Sequence, residues 1–360
     1  MTKTEVKGRF NSILRFAMAD RQRLQTIITL TVLLFMLLIF SSQSDRFFQI
    51  SNLLNVARQV SPLIIVASAA TLVMIARGVD LSVGSVVAAT VVLAAYLTSH
   101  GMPLWQAYVW AVVLGTAFGL LNALVIVKLG VTPIIATLGT LNAARGVAYL
   151  ISPSAILVGL PESWDTIGTS YFFGIPISVI VAAVVFIFFY ILLTRTIFGR
   201  HVYAIGGNEE TARLSGVNVE REMMILYIMT GAMAGVAAVV LGSRLGSGDP
   251  NIGIGFEFQV IVAIILGGTS FSGGEGRLLG TLIGAFIVGF LGNGLNLAGV
   301  EPFWQYIAQG VVLVFAVALD RFVNTGMLAL SSSQRKKQIT LQRIQTSEAE
   351  IKPEENQEAL

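Results

Sequence analysis

The chain has 360 residues, 55% of them hydrophobic and only 12% charged, with a formal net charge of +3 and no cysteine. A mean hydropathy of +0.79 is far from that of a soluble domain of this length. Disulfide frameworks, thiolate nucleophiles and cysteine-bound metals are excluded, and the small positive charge gives no sign of a nucleic-acid partner.

A bilayer core of roughly 30 Å requires about twenty apolar residues of helix. In chain order, windows that meet or approach this length lie near 24–40, 60–76, 83–97, 104–127, 132–151, 175–193, 224–242, 257–268, 278–297 and 303–319. The windows at 83–97 and 257–268 are short, so the count predicts about ten crossings, and no fewer than eight. Runs such as Ile180–Ile187 (IVAAVVFI) lack the in–out alternation of a β-barrel strand. The expected fold is therefore all-α, a polytopic membrane protein.

The N-terminal segment 1–23 is basic, and the apolar run that follows is long for a signal peptide and has no clear small-residue cleavage site. It reads as a first transmembrane helix that is retained. With the N-terminus in the cytoplasm and ten crossings, every lysine and arginine except Arg46, Arg58, Arg145 and Arg244 falls in an inside segment. Such a bias fixes orientation. It predicts cytoplasmic termini, a transmembrane domain over 24–320, and a polar cytoplasmic tail over 321–360.

Two polar loops stand out. Residues 152–174, on the predicted outer side, carry Glu162, Trp164 and Asp165. They suit either a docking rim or an interfacial segment anchored by Trp164 and Tyr171. The island 195–222 (RTIFGRHVYAIGGNEETARLSGVNVERE) lies on the predicted inner side. Within it, Glu209–Leu214 predicts a short helix with Asn208 as N-cap, Glu209 and Glu210 in its first turn, and Gly216 as its stop. A short helix between glycine turns is either a rigid knob that meets a soluble partner or a solvated connector.

Two further segments echo one another, GVDLSVGSV at 78–86 and GGTSFSGGEGRLLG at 267–280. Breaks of this kind at membrane helices need protein or water around the backbone, and their likeness hints at an internal duplication. The GxxxG spacings at Gly115/Gly119, Gly231/Gly235 and Gly280/Gly284 predict close helix packing.

Catalysis finds no support. The two histidines, His100 and His201, lie outside the windows, and no GxxxxGK[ST] phosphate loop occurs. Charges at or within the windows are few: Arg77, Asp80, Arg145 and Glu257. Arg145 and Glu257 are expected to snorkel to the outer interface, and no array of buried carboxylates marks an ion path. Mild polarity remains at Asn122, Thr137, Thr140, Asn142, Asn293, Asn296 and Gln305. It reads as interhelical bonding residue by residue, or as the lining of a passage for a neutral, hydroxylated solute when taken as a set.

The stretches GVDLSVGS (78–85), TPIIATLGTLNAARG (132–146), AIGGNEETARLSGVNV (204–219), RLGSGDPNIGIGFEFQVIVAIILGGTSFSGGEGRLLGTLIGA (244–285) and NGLNLAGVEPFWQ (293–305) carry a resemblance. Over roughly 50–320 the chain resembles permease subunits of ribose-type ABC sugar importers, the class that includes xylose, arabinose, fructose, inositol and autoinducer-2 permeases. The resemblance implies a multi-pass protein of the bacterial inner membrane that works with a second permease copy, identical or not. It also implies a cytoplasmic ATP-binding subunit and a periplasmic sugar-binding protein. Membrane lipid surrounds such a subunit, and no cofactor belongs to it, because ATP is bound by the partner chain. Carried over, Gly206, Gly207, Asn208, Glu209, Glu210 and Arg213 form the helix that couples to the ATPase. Gly267, Gly268 and Ser270 stand near the gate, and the polar residues read above, Asn122, Thr137, Asn142, Asn293 and Asn296, are then expected along the pathway. Phe256 and Phe258, flanking Glu257, depart from the more polar surroundings expected there. The alternative is a stand-alone secondary transporter or channel for a small polar solute.

Overall fold

The computed structural model describes residues 21–153, 156–301 and 303–318, and Gln25–Val317 form one compact unit. Of the expected N-terminal segment only Arg21–Arg23 are described, as the start of a helix, and the 321–360 tail lies outside the described residues.

Each of the ten apolar windows is helical. In chain order the helices are α1 (Arg21–Gln43), α2 (Ile50–Ile75), α3 (Val83–Ser99), α4 (Leu104–Val127) and α5 (Pro133–Ile151). After a 3-10 turn at Glu162–Asp165 come α6 (Thr166–Thr169), α7 (Ile177–Arg195), α8 (Ile197–Gly207), α9 (Glu209–Leu214) and α10 (Val219–Leu245). The series closes with α11 (Phe256–Leu266), α12 (Leu278–Leu297) and α13 (Phe303–Ala318). Seven are long and apolar enough to cross a membrane, whereas α3, α11 and α13 are shorter. The 11 residues of α11 rise only about 16 Å, so this segment reaches into the bundle without crossing it as a helix.

Helix α2 lies at the centre, buried almost continuously from Val60 to Ile75. Around it α1, α4, α5, α7 and α13 turn large apolar side chains outward, among them Phe35, Val113, Ile135, Phe188 and Phe315. That is the inverse of a water-soluble bundle and suits hydrocarbon.

The glycine pairs foreseen from spacing pack against one another. Gly115 and Gly119 of α4 face Gly231 and Gly235 of α10. A Cβ on Gly231 would lie 2.7 Å from the Gly119 Cα, and one on Gly235 2.7 Å from the Val112 Cα. Gly280 and Gly284 of α12 sit directly on the backbone of Gly267 and Ala263.

At one end of the bundle, residues 156–176 form a cap. Strands β1 (Tyr171–Phe172) and β2 (Ile175–Pro176) make an antiparallel hairpin whose turn, Phe173–Gly174, has positive φ at both positions, as a tight type I′ turn requires. Trp164 is not the interfacial anchor that the sequence suggested. It is fully buried, and its indole N–H donates to the Gly242 carbonyl at 2.9 Å. That carbonyl, in the last turn of α10, also accepts the Gly246 and Ser247 amides, and its second lone pair serves the buried indole, which needs an acceptor. Tyr171 is exposed and carries Arg58 over its ring at 5.0 Å.

Close glycine packing has a measurable consequence. Gly231→Val forces α4 and α10 apart and is expected to destabilise the protein by about 1–3 kcal/mol, read as an earlier thermal transition in detergent. Gly310→Ala, with nothing within 4 Å of its added Cβ, leaves that transition unmoved.

Candidate functional site

The polar island builds a knob of two short helices on the end opposite the hairpin. Each helix start has its own cap. Thr196 Oγ1 accepts from the Gly199 N–H at 3.2 Å, Asn208 Oδ1 from Thr211 at 2.9 Å, and Asn218 Oδ1 from Arg221 at 3.0 Å. Asn208 is thus the cap foreseen for Glu209–Leu214, and Gly216, at φ 86°, follows its end. Arg213 Nη2 reaches Glu209 Oε1 at 3.1 Å one turn away, a surface pair worth well under about 1 kcal/mol.

Helix α8 was not foreseen. Its buried face, Gly199, Val202, Ile205 and Gly206, seats the knob on the bundle. Gly206 has no room for a side chain, because a Cβ there would overlap the Ile75 carbonyl and stand 2.5 Å from the Gly274 amide. Gly206 is therefore a packing position, while Gly207, Asn208, Glu209, Glu210 and Arg213 face outward beside Leu214, which is 81% exposed. His201 Nδ1 lies 2.8 Å from Glu222 Oε1 and ties α8 to α10.

Beneath the knob the end of α2, just before the first echoing segment, meets the second. The Gly274 N–H donates to the Ile75 carbonyl at 2.8 Å. Arg77, in the left-handed region at φ 67°, donates from Nη2 to the Gly207 carbonyl at 2.9 Å. Tyr203 Oη–H of α8 donates to the Gly276 carbonyl at 2.8 Å. Burial raises the Tyr203 phenol above its ordinary pKa, with Arg277 opposing, which keeps it a donor. One knob thus holds both helix breaks. Beside it, an open cleft of about 480 Å³ runs between Arg77, Thr132, Pro133, Glu209 and Arg213.

The expected pathway residues do not gather in one place. Asn122 is buried below the first break, its Nδ2 donating to Ser82 Oγ at 2.9 Å. Asn293 is buried near the hairpin end of α12 and exchanges two 2.9 Å amide hydrogen bonds with Asn52. Asn296 is exposed and accepts from Gln305 Nε2 at 2.6 Å. Thr137 is buried and bonds within its own helix to Pro133 at 2.8 Å. Asn142 is exposed on α5. Gly267 and Gly268 close α11, and Ser270, fully buried, receives the Ser272 amide on its hydroxyl at 3.2 Å.

Arg145 and Glu257 do not snorkel. Glu257 is buried, its carboxylate lying against Gly84 at the start of α3. Arg145 Nη1 donates to the Pro250 carbonyl and, at 3.1 Å, to that of Ile252. The physical reason is the non-helical stretch between α10 and α11, whose carbonyls need donors away from water. Sequence reading also missed Tyr203, whose only signal was an aromatic hydroxyl facing a glycine-rich break. Among the described residues no group of three or more His, Asp or Glu side chains could hold a metal ion.

Residues 52–317 match the family described as "Branched-chain amino acid transport system / permease component". The chain is 40% identical over 296 residues to a ribose import permease protein of Escherichia coli (strain K12), covering 81% of this chain and 92% of the relative. It is 39% identical over 291 residues to that of Bacillus subtilis (strain 168), covering 80% and 90%. With an L-arabinose transport system permease protein of Escherichia coli (strain K12) it shares 38% over 243 residues, 68% and 74% of the two chains. No solved structure matches the chain.

The cap at Asn208 offers a local test. Asn208→Ala removes about 1 kcal/mol from α9, so amide hydrogen exchange over 209–214 should quicken while the global thermal transition stays in place.

Proposed function

The chain belongs to this permease-component family, and we propose on that footing that it carries a monosaccharide or a similar small polyol-like solute. It is a non-catalytic, multi-pass subunit of an ABC importer in the bacterial inner membrane. Its relatives are named for ribose, allose and arabinose, which supports a sugar as cargo. They lend nothing to the stand-alone transporter that the sequence also allowed.

In this reading ten segments cross or enter the membrane within a permease domain over 24–320, and both termini and the 195–222 knob face the cytoplasm. Two permease copies enclose the passage, with Thr137, Asn142 and the amides of Asn122, Asn293 and Asn296 offering weak, exchangeable hydrogen bonds to hydroxyl groups. A periplasmic binding protein supplies the solute, and a cytoplasmic ATPase docks against Gly207, Asn208, Glu209, Glu210 and Arg213, with Gly206 seating the knob. Gly267, Gly268 and Ser270, at the second break, form part of the gate. ATP is bound by the ATPase alone.

One observation carries the coupling role. The outward face of the knob is polar and ends in an exposed Leu214, while its inner face is bonded to both helix breaks. A push on α9 therefore reaches the ends of α2 and α11 through short hydrogen bonds, without passing through solvent.

Uptake into liposomes containing the permease, its ATPase and its binding protein tests the reading, with ribose, allose and arabinose offered in turn. Gly207→Pro and Glu209→Arg should assemble normally and lose most ATP-driven uptake. Wild-type uptake in both variants would remove the coupling role, and uptake by the permease alone would favour the stand-alone alternative.

A further inference from the structure

Between α2 and α3 the chain runs as a short strap, residues 76–82. At its start Arg77 is bonded to the knob, and the Ile75 carbonyl just before it is bonded to the second break. At its far end Asp80 is only 6% exposed. Asp80 Oδ1 accepts the Ser82 N–H at 2.9 Å, the Ser82 hydroxyl at 2.6 Å and, at 3.5 Å, the Asn122 amide. Asn122 also donates to Ser82 Oγ at 2.9 Å. Midway, Tyr227 of α10 donates to the Val79 carbonyl at 3.4 Å.

This arrangement is a poor device for stability alone. Asp80 has only neutral donors, and a buried carboxylate without a counter-charge costs more than it returns. Asn122, 1% exposed, also leaves its Oδ1 without a hydrogen-bond partner. An uncharged cap would start α3 as well. What the carboxylate adds is connection, since one oxygen gathers the start of α3 and, through Asn122, the side of α4.

We propose that Asp80 is a positioning residue that makes the strap a rigid link, so that displacement of the knob moves the start of α3 and its tie to α4 as one body. The inference rests on the coupling role given to the knob above. Asp80→Ala cuts the link. Asp80→Asn keeps it, because the new amide can donate to the idle Asn122 Oδ1. Ser82→Ala removes the hydroxyl that bridges Asp80 and Asn122 and is a second, milder cut.

The absence of cysteine allows paired spin labels to be placed freely. Leu214→Cys with Ser99→Cys reports the distance from the knob to the far end of α3, and Leu214→Cys with Leu150→Cys reports the knob against α5. Distances are read by pulsed electron spin resonance on the permease–ATPase complex, before and after ATP with vanadate. In the otherwise native chain the knob–α5 distance should shift while the knob–α3 distance holds. With Asp80→Ala or Ser82→Ala the knob–α3 distance should shift or split on nucleotide binding, and Asp80→Asn should restore the single distance.

If neither cut alters the knob–α3 response while knob–α5 still moves, the link through Asp80 is wrong and the coupling role stands. A knob–α3 distance that already moves in the native chain refutes the link as well. If no pair responds to nucleotide in the native chain, the coupling role itself fails. A distribution broadened before nucleotide, with an earlier thermal transition in both cut variants, would make Asp80 a structural cap and overturn the proposal.

Discussion

Backbone satisfaction at the broken helices is the constraint on which the rest of this structure depends. A helix that stops inside a membrane protein leaves amide and carbonyl groups open, and hydrocarbon offers them nothing. Here the break after α2 and the break after α11 partially satisfy each other, Gly274 N–H to the Ile75 carbonyl. The knob supplies much of the remainder, with Tyr203 reaching Gly276 and Gly207 receiving Arg77. The glycines at 206 and 274 follow from this. The contact is backbone on backbone, and a Cβ at either would stand within 3 Å of a neighbouring backbone atom. Stability and mechanical connection come from the same few bonds, so the knob cannot move without disturbing both breaks.

Much of this was legible in the sequence because lipid writes a plain code. A helix surrounded by hydrocarbon or by other apolar helices is apolar on all sides, and all ten such windows are helical. The α9 cap was legible for a different reason, since Asn208 followed by two glutamates and closed by Gly216 states its own chemistry locally. Helix α8 was not legible. Its buried face is made partly of glycine, in IFGRHVYAIGG, and glycine marks a turn as readily as a close contact. Trp164 and Glu257 were misplaced because the usual positions for tryptophan and for a lone carboxylate lie at the membrane interface. Nothing nearby in sequence announced Gly242 or Gly84 as their neighbours; those contacts join residues 78 and 173 positions apart.

The set of polar residues inside the windows shows a related limit. Sequence position gave them a common property without a common place. Asn293 is taken up by Asn52, and Asn122 by Ser82 and Asp80, at different levels of the bundle. Amides buried in pairs fix helix positions, whereas Asn142, exposed on α5 and bonded only along its own helix, retains a free side for another molecule.

The arginines complete the physical picture. Arg77 donates to a carbonyl of the knob, and Arg145 to carbonyls in the stretch between α10 and α11. Each of these two arginines thus serves a place where regular helix has ended. A guanidinium suits this task, with five donors in a rigid fork and a charge that it never loses. An ion-driven carrier needs interior charges that change partner or protonation during transport. Here the two arginines are committed to the backbone, Asp80 is held by Ser82 and Asn122, and in the reading proposed above the energy for a conformational cycle enters through the knob.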